Sequence, residues 1–169
     1  MKLPNPVREI RTINELLAGA DTAARRMGDL SPGPEHLLLA ALAMDDGTAR
    51  RAFARAGADP DAFEAAVAAQ HDAALRAIGV EPVGLPPADV DAGPPKGVFR
   101  STPAAQRAFQ EAVKLSKQVK PSRLLGAHVV AAVAEERQGT AARTLRAMGV
   151  DAAALADAAR AEAEASRRG

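Results

Sequence analysis

The chain has 169 residues, a formal charge of +1, no Cys, no Trp and no Tyr. The missing Cys excludes disulfide scaffolds, thiol catalysis and Cys-ligated zinc, and near-neutrality argues against a nucleic-acid binder, which needs a basic excess to neutralise phosphates. Alanine supplies 42 of the 80 apolar residues, and since it is the best helix former but buries little area, the composition predicts an all-α fold of short, closely packed helices.

Taken in chain order, Ile10, Ile13, Leu16, Leu17, Ala20, Ala24 and Met27 recur at three- and four-residue steps, the apolar stripe of a first helix. Either Asn5-Pro6 or the capping box Thr12 to Glu15 can start it, and Gly28 is placed to end it. Ser31-Pro32-Gly33-Pro34 reads as a turn, and Pro34 or Glu35 opens a second helix through Met44, apolar on nearly all sides and so buried at the centre. Asp46 or Gly47 leads into a third helix ending at Gly57. Asp59-Pro60 caps a fourth that runs toward Ile78. Thr102-Pro103 caps a fifth to about Val119, and Lys120-Pro121 breaks it. Leu124 to Glu135 forms a second apolar helix, Gly139 to Met148 a seventh, and Asp151 caps the last, whose polar end, Arg160 to Gly169, is expected to fray.

These eight helices are two copies of four. Setting residue i against i+92 without a gap superposes Gly47-Thr48-Ala49 on Gly139-Thr140-Ala141, Gly57 on Gly149, Asp59 on Asp151 and His36 on His128. The reading is one domain over 1–169, with repeat 1 at about 8–78, repeat 2 at about 101–167, and a connection at about 79–100. That connection carries Pro82, Pro86, Pro87, Pro94 and Pro95, so it is not helical, and Val83, Leu85 and Val90 suggest that it lies against the body. The longest apolar run, Leu37 to Met44, has eight residues, far short of the roughly 20 that span a bilayer. With no signal-peptide pattern at the N-terminus, a soluble cytoplasmic protein is expected.

Reactive chemistry is hard to find. Gly93-Pro94-Pro95-Lys96-Gly97 lacks the phosphate-loop spacing, and its prolines remove the amides that would cradle phosphate. His36, His71 and His128 have no H-x-x-x-H spacing, so His36 and His128 read as structural residues at the start of the apolar helices, and no metal site is expected. No serine sits in a G-x-S-x-G turn. Asp45-Asp46, at a helix end, reads as a cap rather than an acid/base pair. The expectation is a protein that is not an enzyme and needs no cofactor.

Gly33-Pro34-Glu35-His36-Leu37-Leu38-Leu39, its weaker echo Gly126-Ala127-His128-Val129-Val130, the Gly-Thr-Ala openings at 47 and 139, and Thr102-Pro103-x-Ala105 resemble the Clp N-terminal repeat domain. That domain precedes the AAA+ modules of ClpC- and ClpA-type chaperones. The resemblance covers about residues 9 to 160 and implies an all-α double repeat that docks substrates, adaptors or the chaperone itself. No ATPase module follows here, so the expected role is a standalone modulator of a Clp chaperone–protease, with monomer favoured. The alternative is a protein that sequesters a peptide or small ligand, such as a cyclic peptide that targets Clp chaperones. In the family, an arginine phosphate is held by a helix-opening Thr and by the Glu of a G-T-E-H motif. This chain keeps Glu35 but has Ile10 at the matching Thr position, and keeps Thr102 but has Ala127 at the matching Glu position. Read without the family, Thr102 is an N-cap and Glu35 a carboxylate in a first helical turn. Glu9 and Ser101 stand where members that bind cyclic peptide antibiotics carry an aromatic residue. Glu35, Thr102, Glu9 and Ser101 are therefore the candidate contact residues.

Overall fold

The computed structural model describes residues 5–82 and 100–169. The segment that contains Val83, Leu85 and Val90 lies outside the described residues, and so do the first four. Eight α-helices and no strand are found among the described residues. They are α1 (Pro6–Arg26), α2 (Pro34–Leu42), α3 (Thr48–Arg55), α4 (Phe63–Ala77), α5 (Pro103–Lys117), α6 (Gly126–Ala134), α7 (Thr140–Ala147) and α8 (Ala152–Arg168). One 3-10 turn, Pro60–Ala62, leads into α4.

Local chemistry explains most helix ends. Asn5, not Thr12, starts α1: its Oδ1 accepts the Val7 amide at 3.2 Å, and Pro6 needs no hydrogen-bond partner at the first position. At the other end Gly28 adopts φ +79°, which lets the Asp29 amide reach back to the Ala24 carbonyl at 2.9 Å. An L side chain in that left-handed position would strain the turn. Asp151 Oδ1 accepts from the Ala153 and Ala154 amides and opens α8. Two expectations need adjustment. α5 stops at Lys117, two residues short of Val119. α8 does not fray at Arg160 but runs to Arg168, because Glu162 is buried against Arg51 and Arg55 of α3, while Arg160 pairs with Glu135 just after α6.

The two apolar helices, α2 and α6, are buried and touch each other at the centre of a single continuous core. α1 covers α2 and α5 covers α6, each within its own half. α8 also lies along α6 within the second half, while two further contacts cross over: α3 packs on α8, and α4 packs on α7. The two halves therefore differ: the second covers α6 with its own α8, whereas α4 of the first lies mainly on α7 of the second. Small residues make these approaches close. A Cβ on Gly126 would lie 3.0 Å from both the Ala41 carbonyl oxygen and the Ala49 Cβ, so α6 meets α2 and α3 almost backbone to backbone. The larger anchors, Leu16, Leu37, Leu38, Phe53, Phe63 and Leu155, are fully buried. Each stabilises the fold by roughly 1.5–3 kcal/mol, far more than any alanine around it. Phe53 and Phe63 meet edge to face, 5.9 Å apart.

Candidate functional site at the start of the second helix

Glu35 occupies the first turn of α2 but is only 8% exposed. Its carboxylate folds back over Gly33, where a Cβ would sit 2.7 Å from both carboxylate oxygens. The φ of Gly33 is an unexceptional −102°, so the need for glycine here is steric. No hydrogen-bond donor reaches the Glu35 carboxylate among the described residues; the titratable side chain within 4 Å of it is His36, with Nδ1 at 3.6 Å.

His36 is 1% exposed, and its Nδ1 accepts the Gly33 amide at 2.9 Å. That bond satisfies an orphan donor at the helix start, as a Glu or Gln at the same position does in a capping box. With Nδ1 accepting, the proton of the neutral ring sits on Nε2. Burial pushes the His36 pKa down, against the upward pull of Glu35 and Asp29, which favours that neutral ring. Nε2 lies 3.0 Å from Asp29 Oδ2, yet off the line of a hydrogen bond, and both atoms are buried without one. His71 of α4 approaches the same oxygen, with Nε2 at 3.6 Å. Asp29, Glu35 and His71 each present one ligand-type atom, and the three atoms lie within 4.8 Å of one another.

Thr102 joins this corner from the other half. Its Oγ1 accepts the Ala105 amide at 3.2 Å and so caps α5, while its own amide donates to the Pro32 carbonyl at 2.9 Å. The starts of α2 and α5 are thereby tied together, and the Oγ of Ser101 is buried there without a partner. Glu9 is elsewhere. It is half-buried in the first turn of α1, and the 17 helical steps from Glu9 to Arg26 span about 25 Å. Three of the four candidate residues thus belong to one corner, and Glu9 belongs to the far end of α1.

The matching start of α6 is built differently. Asp46 Oδ2 accepts the Gly126 amide at 3.0 Å, and Thr48 Oγ1 accepts the Ala127 amide at 2.8 Å. The other Asp46 oxygen takes the Thr48 amide and hydroxyl. Asp46 is a cap, as its position suggested, but it caps helices of both halves. The amides of Gly126 and Ala127 are consumed by this network and Ala127 is buried, which leaves no anion seat. His128 repeats the part of His36: Nδ1 accepts the Leu125 amide at 3.1 Å, and burial again lowers its pKa, against Asp46.

Two depressions of the described surface bear on the candidate contacts. An apolar groove of about 300 Å³ runs among α5, α6 and α8, lined by Leu115, Val119, Leu125, His128, Ala163 and Arg167. A shallower, more polar one of about 840 Å³ opens between the halves, with Arg8, Arg11, Asp45, Asp46, Arg123 and Leu124 on its walls. Sequence reasoning missed Asp29 and His71. Positions 29, 35 and 71 carry no linear spacing, and only the packing of α4 beside the α1–α2 turn brings them together. No helix among the described residues is long and apolar enough to cross a membrane.

The family model for the Clp repeat (R) N-terminal domain matches residues 11–148 and, again, 100–167. Its members are non-catalytic modules of Clp chaperones that bind substrates, adaptors and other Clp components. The all-α architecture, with two apolar helices entered at His36 and His128, agrees with that match. The chain belongs to the Clp repeat N-terminal domain family.

Proposed function

We propose that this chain is a non-enzymatic docking protein that modulates a cytoplasmic Clp chaperone–protease by holding its substrates, its adaptors or the chaperone itself. The two repeats run at about 8–78 and 101–167, joined through about 79–100, and a single chain is the working unit. The observation that carries the reading is the bond from the Thr102 amide to the Pro32 carbonyl. It unites the starts of α2 and α5, so Glu35 of one half and Thr102 of the other serve one corner. An arginine phosphate needs a carboxylate for its guanidinium and a helix start for its phosphate. Neither half supplies both, and in the assembled corner the Thr102 amide and hydroxyl are already bonded. Asp29 and Glu35 face no Lys or Arg among the described residues, so the corner, with Ser101 at its edge, suits a cationic side chain of a partner better than a phosphate. Glu9, in the first turn of α1, is a separate contact. The apolar groove among α5, α6 and α8 supports the second reading, in which a peptide or small apolar ligand is held away from its target.

A binding measurement with a purified ClpC-type chaperone and its adaptors separates these readings. Under the docking reading, the chain binds one of them, and Ser101→Arg weakens binding at least tenfold. Binding that Ser101→Arg leaves unchanged would remove the corner from the account. Failure to bind any of them, together with capture of an apolar peptide that Ala163→Glu abolishes, would replace docking with sequestration.

A further inference from the structure

The corner at the start of α2 holds more negative charge than its protein partners offset. Asp29 and Glu35 bring two carboxylates into one partly closed space. Among the described residues, neither pairs with any Lys or Arg; their only charged-group neighbours are His36 and His71. His36 cannot turn a proton toward Glu35, because its Nδ1 is occupied as the acceptor of the Gly33 amide. Buried carboxylates are ordinarily paired, hydrogen-bonded or bound to a metal. Here the first two solutions are absent for Glu35 and incomplete for Asp29.

We infer that Asp29, Glu35 and His71 form a binding site for a divalent transition-metal ion of the zinc class. One imidazole and two carboxylates within 4.8 Å of one another are a donor set suited to zinc, and three protein ligands leave a coordination position open. A separate observation points the same way. His36 is not one of the three ligands, yet its buried Nε2 is aimed at Asp29 Oδ2 from 3.0 Å without completing a hydrogen bond. A small shift of the Asp29 carboxylate toward a metal would let one oxygen bind the ion while the other accepts that N–H. That is the outer support by which metal-binding side chains are commonly oriented. The site draws on the α1–α2 turn, the first turn of α2 and one face of α4, so a bound ion ties α4 to the start of α2. The Gly33 position also acquires a purpose, since the absent Cβ leaves the space into which the Glu35 carboxylate folds.

The test needs no partner protein, so it stands or falls apart from the docking reading. Full-length chain, stripped with a chelator and returned to buffer, is titrated with zinc chloride by calorimetry and with cobalt chloride by visible absorption. The expected result is one zinc per chain, a raised melting temperature, and a cobalt spectrum of a site with at least one nitrogen ligand. His71→Gln, on the partly exposed face of α4, and Asp29→Asn should each weaken zinc binding at least tenfold while leaving the metal-free helical content unchanged. His36→Gln keeps an acceptor for the Gly33 amide but removes the N–H toward Asp29, and it should weaken binding roughly 10–100-fold. No stoichiometric zinc uptake, or uptake that His71→Gln leaves unaltered, would overturn the site.

Discussion

At the residue scale, histidine takes a place that Glu or Gln more often fills. His36 and His128 each turn Nδ1 back to the amide that precedes their helix, Gly33 in one case and Leu125 in the other. The choice makes folding sensitive to pH. For His128, burial lowers the pKa below 6.5 in the folded state, while the nearby Asp46 opposes this only in part. An unfolded chain then binds the proton more readily than a folded one, so this contribution to stability is full above pH 6.5. It is lost as the pH falls from there toward the folded value. His128→Gln keeps the capping geometry and removes the titration. Denaturant melts of the variant should therefore show a flatter fall in stability as the pH drops below about 6.5 than those of the wild type. An equal slope in both proteins would assign the sensitivity to other groups.

Single helices are held less by the size of their side chains than by how near their backbones come. α6 is the clearest case, with Gly126 at its first position facing the Ala41 carbonyl and Ala49. Its first amides are capped by Asp46 and Thr48 from the other half, so its start is pinned by covalently distant partners. Gly126→Ala gains helix propensity of about 1 kcal/mol at most, but it places a methyl 3.0 Å from a backbone oxygen. Overpacking of that kind costs roughly 1–3 kcal/mol, and neither the α2 backbone nor the capping network can retreat without loss. The variant should unfold at lower urea than the wild type, by an amount that corresponds to roughly 1–2 kcal/mol. A rise in stability would mean that α6 is free to move away from α2. α8 is anchored in another manner: Glu162 accepts from Arg51 and Arg55 of α3. Burial raises its pKa and these two guanidiniums lower it, with the net direction downward, so it stays charged at neutral pH. The anchor counters the fraying that the polar end of the helix suggests by itself.

For the whole molecule, the crossed packing of α3 on α8 and α4 on α7 means that the first half does not close its own core. Phe63 and Val67 of α4 are fully buried in a core that also takes in α6, α7 and α8. A chain ending at residue 82 would expose these surfaces, and its alanine-rich remainder lacks the area to compensate. Residues 1–82 alone should give a helical spectrum without a cooperative thermal transition. Mixing with a separate 100–169 piece should restore that transition. A sharp, independent melt of the first half would show that the repeats are autonomous.

The amino-acid sequence by itself determined the elements and their order. Glycines at helix ends, Asn5-Pro6, Asp59-Pro60, Thr102-Pro103 and Asp151 act on their immediate neighbours, and the two apolar runs announce their own burial, because such effects extend over only one or two helical turns. The 92-residue offset likewise showed that the plan is used twice, with His36 and His128 in the same place. Part of the candidate site was picked out in the same way: Glu35 from its motif and Thr102 from its cap. Their shared corner was not, because its members lie 67 positions apart in the chain. Nor were Asp29 and His71, the double duty of Asp46, or the full length of α8. Those were decided by tertiary structure, since they depend on which helix of one half lies against which helix of the other. Helix-to-helix approach depends on side-chain volume summed over both partners at each crossing, a quantity that no single stretch of sequence contains.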